Sequence, residues 1–432
     1  MTKEEIETIF SVNAGIIQQS DMKTLTTFAQ RLIFPALVFC GFCIALPPFF
    51  KSISIMLLAL ILLASGELFR CKYTAKQIFD LRNPLFWLAT LYIFYCIGML
   101  WSSNTAYGLM DLQIKLPLIV IPFLFCFVPL EHLTKKRLWI YASAFITGIT
   151  IVLSYLLISA ILRSMQSETF NFRRIMYIYL SANYAPNYLA TETCIAAILT
   201  FFNSLKFLRI SNKGIIIIKS CLICFFNTLI ILLDSRVGSI GIAVVDLIIL
   251  FHLFRKRNIL LAFLFMAYVI GNLAFVGTMA RLPFERSIPK SASSSSESRL
   301  TIYYYVLNKS IMSSPVWGYG TGDTKDALTK MYSDEKTGFK RYLNAHNQFL
   351  QTTVAIGVLG LVYLIAVFVC FTLRLWERKY FALLAGLAII GLLMMTESSL
   401  ERQAGVHFCS FAFCWLYAIS CKSKKKERIE QV

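Results

Sequence analysis

Apolar residues in this chain come in blocks of about twenty, separated by short polar stretches that hold most of the charge. A block of that length spans the ~30 Å hydrocarbon core as a helix rising 1.5 Å per residue. Blocks at 29–47, 52–67, 84–101, 113–130, 138–161, 187–204, 214–233, 236–253, 259–278, 346–372, 380–396 and 404–420 predict about twelve transmembrane helices. The expected fold class is an all-α polytopic integral membrane protein, read as one membrane domain over 1–432. One long polar interruption, 279–345, precedes the tenth block, and loops of that length are uncommon unless functional. It mixes a serine-rich run, Ser291 to Ser296, read as flexible, with a helix expected from Ser298 until Pro315. No internal repeat is visible, which argues against a transporter built from two inverted halves.

Basic residues orient these blocks, because Lys and Arg are retained on the cytoplasmic side. They cluster in alternate short loops: Arg70, Lys72, Lys76 and Arg82; Lys135, Lys136 and Arg137; Lys206, Arg209 and Lys213; Arg255, Lys256 and Arg257; Arg374, Arg378 and Lys379. The tail, with Lys422, Lys424, Lys425, Lys426 and Arg428, belongs to the same side. The intervening segments, Trp101–Leu112 and the turn at Asp234 and Ser235, are poor in basic residues and face outward together with 279–345. Met1 to Asp21 is mixed in charge and has no cleavage-site pattern, so it is read as a retained cytoplasmic tail.

Composition agrees with this reading. Hydrophobic residues make up 57% and charged residues 15% of the chain, against roughly 25% charged in soluble domains. The mean hydropathy is +0.67. A formal charge of +19 raises the question of nucleic acid, but the cations are spread over short loops rather than gathered on one face. No nucleic-acid partner is expected. Most of the twelve cysteines lie within apolar blocks, so no disulfide framework is expected, and Cys221 and Cys224 are read as small hydrophobes in a continuous apolar run.

A few polar residues stand where chemistry could use them. Arg236 opens the eighth block almost without a loop; an arginine at mid-membrane costs about 2.5–3.5 kcal/mol, and less at the interface, so it calls for an anionic partner such as Asp234 or a ligand. Arg299 opens a stretch that leads to Pro315 and a turn with Gly318 and Gly320, two glycines that let backbone approach a ligand closely. His346 is expected to begin the tenth span, with Leu350, Thr353, Gly357 and Gly360 near one helical face. A helix N-terminus and two nearby arginines disfavour imidazolium, leaving the neutral ring that a general base needs. Glu192 and Asp246 fall inside blocks and are functional candidates unless they pair with basic neighbours; His407 lies near the outer end of the last block. Trp87, Trp101 and Trp139 are read as interface anchors.

Three of these segments, in order, resemble the bacterial O-antigen ligase and polymerase superfamily. DSRVGSIGIAVV is similar to its Ser-Arg motif at a span start, here Arg236. SRLTIYYYVLNKSIMSSPVWGYGTGD resembles its arginine, helix, proline and Gly-x-Gly pattern, here Arg299, Pro315, Gly318 and Gly320. HNQFLQTTVAIGVLG resembles its His-Asn-x-x-Leu helix start, here His346, Asn347, Leu350 and Gly357. Upstream, APNYLA, with Pro186, Asn187 and Tyr188, looks like a further feature of the sixth span. The chain departs from the pattern where the usual aromatic after the second arginine is a tyrosine run, Tyr303 to Tyr305.

The resemblance implies a metal-independent, inverting glycosyltransferase of the bacterial inner membrane, without cofactor, acting on lipopolysaccharide at the periplasmic face. Arg236 and Arg299 would hold the diphosphate of an undecaprenyl-diphosphate-linked glycan donor, and His346 would accept the proton of the acceptor hydroxyl, with Asn347, Gly318, Gly320 and Asn187 in support. No Asp-x-Asp pair that would hold a metal is found on the outer side. The acceptor implied first is lipid A-core, as in an O-antigen ligase. A polymerase of repeat units and a protein O-oligosaccharyltransferase use the same donor chemistry and stay open. A polysaccharide transporter or flippase is the alternative of another class, but it would place its charges near mid-membrane rather than at one face.

Overall fold

The computed structural model describes residues 24–69, 83–165, 186–203, 210–233, 235–281, 295–334 and 344–421. The basic clusters at 70–82, 204–209 and 422–432, Asp234, the segment 1–23 and Ser291 to Ser294 lie outside the described residues. Regular structure among the described residues is helical throughout. Among the described residues, seven segments are long and apolar enough to cross a membrane: α1 (Thr24–Cys43), Pro84–Trp101 with α3 (Pro84–Ile97), Thr105–Phe127, most of α6 (Lys135–Met165), α8 (Asn212–Leu232), α9 (Arg236–Arg255) and α13 (Gln348–Glu377). Shorter apolar helices are α2 (Pro48–Ala64), the first part of α10 (Ile259–Arg281) and α14 (Phe381–Thr396).

Two further helices, α7 (Pro186–Phe202) and α15 (Gln403–Ser420), are the most thoroughly buried. α7 packs against α6, α8, α9 and α14, which shield it from lipid. It can therefore carry Thr191, Glu192, Thr193 and Thr200 inside the bundle, because the threonine hydroxyls donate to carbonyls one turn back and the acid has a side-chain partner. Glu192 pairs with the buried Lys51 of α2 at 3.5 Å, and Asp246 of α9 accepts from Asn227 of α8 at 2.9 Å. His407 Nδ1 lies 2.7 Å from the Gln403 carbonyl, one turn back in α15.

The helix boundaries differ from the sequence expectation in four places. Trp101–Leu112, expected as an outer loop, is largely helix: α4 (Thr105–Lys115) is capped by the Asn104 side chain and continues, after a break at Leu116, into α5 (Pro117–Phe127). The stretch expected as one helix from Ser298 to Pro315 begins at Ser295, so two of the serines expected to be flexible are helical. It changes winding on the way: α11 (Ser295–Tyr305) passes into a π-turn at Val306–Ser310 and a 3-10 turn at Ile311–Ser313. α12 (Thr324–Asp334) follows. The third and fourth differences concern α13, which starts after His346 and breaks in the middle.

At Ile356 and Gly357 the α13 backbone leaves the helical region, Gly357 having φ 71°. The turn after Pro315 uses the peptide groups this break frees: Tyr319 N–H donates to Val354 O at 2.8 Å and Gly320 N–H to Ala355 O at 2.9 Å. In return Val358 N–H donates to Pro315 O at 2.9 Å. A side chain on Gly357 would collide with the Val316 carbonyl, and one on Gly318 would meet the Ala355 backbone. Gly318 and Gly320, at φ 68° and 94°, thus bring the loop against the broken helix rather than against open space. The single helical face expected from Leu350 to Gly360 is interrupted at this point.

Candidate functional site

The site assembles where α7, α9 and α13 begin and α14 ends. α9 starts after Ser235, whose hydroxyl accepts from Gly238 N–H at 3.1 Å and so satisfies one of the free donors of the first turn. The same hydroxyl donates to Asn187 Oδ1 at 2.7 Å, and the Asn187 amide donates to Glu397 Oε1 at 2.7 Å. Arg236, the first residue of α9, is exposed and has no hydrogen bond or ion pair with another described residue.

Glu397, the residue that closes α14, is the centre of the cluster. Arg299 donates to its Oε1 at 3.1 Å, and His346 Nδ1 stands 3.5 Å from its Oε2. The His346 nitrogen is shielded from solvent and has no formed hydrogen bond at that distance. Burial raises the carboxyl of Glu397, but contact with and charge from His346, the charge of Arg299 and the amide of Asn187 outweigh it. The net result is a carboxyl held below its ordinary range, and so ionised at neutral pH. The side chains of Arg299 and His346 are each 27% exposed, which leaves both reachable from outside the bundle.

His346 does not begin the helix. α13 starts at Gln348, with Asn347 as its cap: the Asn347 side chain accepts from Phe349 N–H at 2.9 Å and Leu350 N–H at 3.2 Å. His346 precedes the cap with φ 46°, a left-handed backbone that a residue bearing Cβ adopts at a cost of about 1–2 kcal/mol. Its surroundings hold it there. The Asn344 side chain accepts its N–H at 3.0 Å, Gln351 Oε1 accepts the neighbouring Ala345 N–H at 2.9 Å, and Tyr303 OH lies 2.9 Å from its carbonyl. Tyr303 OH is also 3.0 Å from the Met395 carbonyl. The first tyrosine of the departing run therefore ties the loop helix α11 to both α13 and α14 at the level of the site.

The structure thus brings Arg299, His346 and Asn187 together and tethers the start of α9, with Arg236, to the same network. Asn347 acts as a helix cap, and Gly318 and Gly320 pack the loop on α13. Glu397 escaped the sequence reading. In ESSLER it follows an apolar block that ends in Thr396, and an acid just past a span at the outer side was the available signal.

The next acid of that loop, Glu401, lies in a separate buried group. Lys115, with no exposed surface, donates to Glu401 at 2.8 Å and to Asp111 at 2.5 Å and sits 4.8 Å over the Tyr95 ring. Gln348, in the first turn of α13, ties this buried group to the loop between the two acids. Its carbonyl accepts Leu400 N–H at 2.6 Å, and its amide donates to Thr352, whose hydroxyl meets Tyr95 OH at 2.9 Å.

The chain is a helical membrane protein with a polar, arginine- and histidine-bearing site at one end of its bundle. Residues 220–365 match the model of a family described as O-antigen ligase, which bears out over this part of the chain the resemblance read in the sequence. The match takes in Arg236, Arg299 and His346, whereas Asn187 and Glu397 lie outside it. No curated protein matches the chain.

Proposed function

We propose that this protein is an O-antigen ligase, transferring a glycan from an undecaprenyl-diphosphate carrier to a lipid A-core acceptor sugar at the periplasmic face of the inner membrane. The observation that carries the reading is the convergence of Arg299, His346 and Asn187 on Glu397, beside the helix start that bears Arg236, which has no partner among the described residues. The topology that goes with it is a single twelve-span membrane domain with both termini in the cytoplasm and 279–345 in the periplasm.

In this reading Arg236 and Arg299 bind the donor diphosphate, since planar guanidinium groups pair with phosphate oxygens bidentately. Arg299 spends one donor on Glu397 and keeps others for a ligand. The acceptor hydroxyl oxygen attacks the anomeric carbon from the face opposite the diphosphate. As the new glycosidic bond forms, the bond to the diphosphate oxygen breaks and undecaprenyl diphosphate leaves with the electron pair, its growing charge offset by the arginines. The hydroxyl proton passes to His346 Nε2. Glu397 faces Nδ1, so it fixes the tautomer and stabilises the imidazolium once formed, the role a buried carboxylate plays beside a histidine base. Direct displacement inverts the anomeric centre. The chemistry asks for no metal ion if the two arginines supply the positive charge.

The test is glycan transfer in a strain lacking its own ligase, with wild type, His346→Ala and Arg299→Ala at equal membrane expression and surface lipopolysaccharide followed on gels. Capped lipopolysaccharide from wild type alone supports the ligase and both roles. Longer lipid-linked chains without capping would make the protein a polymerase, and glycan on protein a protein O-oligosaccharyltransferase. Two active variants would remove the proposed site.

A further inference from the structure

A second cavity stands at the end of the bundle opposite Glu397. It occupies about 620 Å³ where α9 ends, α6 and α14 begin and α13 gives way to the loop before α14. Its rim carries Lys135, Arg255 and Lys379, all exposed, and no carboxylate is among its lining residues. None of the three cations has an ion pair with another described residue. Its wall along α9 and α14 is apolar, with Leu247, Phe251 and Phe381 presented outward. Cations at one level and large apolar side chains below them match the two chemistries of a phospholipid, a charged headgroup and acyl chains.

The backbone at Lys379 bears on the same point. Lys379 N–H donates to Trp376 O and Tyr380 N–H to Leu375 O, both at 2.9 Å, which closes the end of α13 through a left-handed residue. Lys379 has φ 57°, a position that glycine usually fills because it has no Cβ to strain. A lysine there directs an ammonium group to the rim despite the conformational cost. Lys135 opens α6, so the positive end of that helix adds to the field at the rim.

We propose that this cavity binds one anionic diacyl phospholipid, its phosphate held among Lys135, Arg255 and Lys379 and its first acyl carbons against Leu247, Phe251 and Phe381. A free phosphate compound would use the rim but leave the apolar wall uncovered, whereas a neutral lipid would cover the wall and leave three cations unmatched. The site is independent of the transfer reaction, which the opposite end of the bundle would perform. Basic recesses between membrane helices are a general means of retaining anionic headgroups.

Native mass spectrometry of the full chain in a neutral detergent tests this, with phosphatidylglycerol and phosphatidylcholine of identical chains as probes. The expected result is selective retention of phosphatidylglycerol, weakened about fivefold by Lys379→Gly or Arg255→Ala, the contribution of one surface cation. Lys379→Gly also relieves the left-handed strain, so binding should fall while the thermal midpoint holds or rises, which a merely structural lysine would not produce. Leu247→Trp, which fills the apolar part, should reduce retention with all cations in place; should it fail to fold, the exposed Lys379 decides. Equal retention of phosphatidylcholine, wild-type binding by Lys379→Gly, or displacement by equimolar glycerol 3-phosphate would overturn the proposal.

Discussion

Two glutamates four positions apart in one loop, Glu397 and Glu401, meet opposite surroundings. Glu397 faces Arg299 and His346, which come from the long loop and stay partly exposed, and its carboxyl is held below the ordinary range. Glu401 faces the fully buried Lys115, which it shares with Asp111. Burial and then the Asp111 charge push Glu401 up to about 7, against the pull of Lys115. The closed cluster holds its cation between two acids, and that cation has no exposed surface that a ligand could reach. The open one keeps spare donors on a guanidinium and a ring nitrogen directed away from its carboxylate. A buried ion pair adds little net stability but is costly to break, so the Glu401 group positions helices, while the Glu397 group is suited to bind and to move a proton.

Substitutions can break this contrast. The largest effect is expected from His346→Ala, which should lower transfer about 10²- to 10⁴-fold, the range for loss of a general base, with the thermal midpoint nearly unchanged. Rate assays on membranes with matched protein levels check it. Lys115→Met should do the reverse: about 3–5 kcal/mol of stability lost, because two buried carboxylates lose their cation, seen as a lower unfolding temperature in detergent and a poor yield. A Lys115→Met protein as stable as wild type would remove the scaffold role.

Smaller effects sharpen the comparison. Glu397→Gln keeps the shape but removes the charge facing His346 and should slow transfer about 10- to 100-fold, as one charge-assisted interaction of about 1.5–3 kcal/mol implies. Asn187→Ala removes one of several donors to the Glu397 carboxylate, whose charge Arg299 still meets, and should cost about two- to tenfold in transfer. The pH dependence of stability should separate the two acids by sign. A folded-state value above the unfolded one means that Glu401 contributes most below the usual carboxylate range and loses that contribution as pH rises through about 7. Glu397, held low, contributes above that range and loses its share as pH falls through its folded-state value. Midpoints measured across pH for Glu401→Gln should show a smaller decline on the neutral side, and those for Glu397→Gln a smaller loss on the acid side.

Much of this was legible in the chain. Apolar block length fixed where helices form, because each must satisfy its own backbone in a lipid environment. His346 could be singled out because a polar residue at the edge of an apolar block stands out against its neighbours, and Arg299 and Asn187 by the motifs in which they stand. Glu397 stands at a block edge as well, but nothing in its own segment tells which partners it meets, since these come from three distant segments. The break in α13 escaped for a related reason: QTTVAIGVLG reads as unbroken helix until a loop from 315–320 is present to take up the freed peptide groups.

The sequence by itself determined the helical class, the positions of most helices and the resemblance of residues 220–365 to a known family, since these follow from local hydrophobicity and short motifs. Only the tertiary structure decided which charges meet. It set Glu397 among partly exposed partners and Glu401 around a buried lysine, and it aimed His346 by a left-handed turn that no local preference favours. Pairing depends on distance and burial, and neither is encoded by the order of residues within one segment.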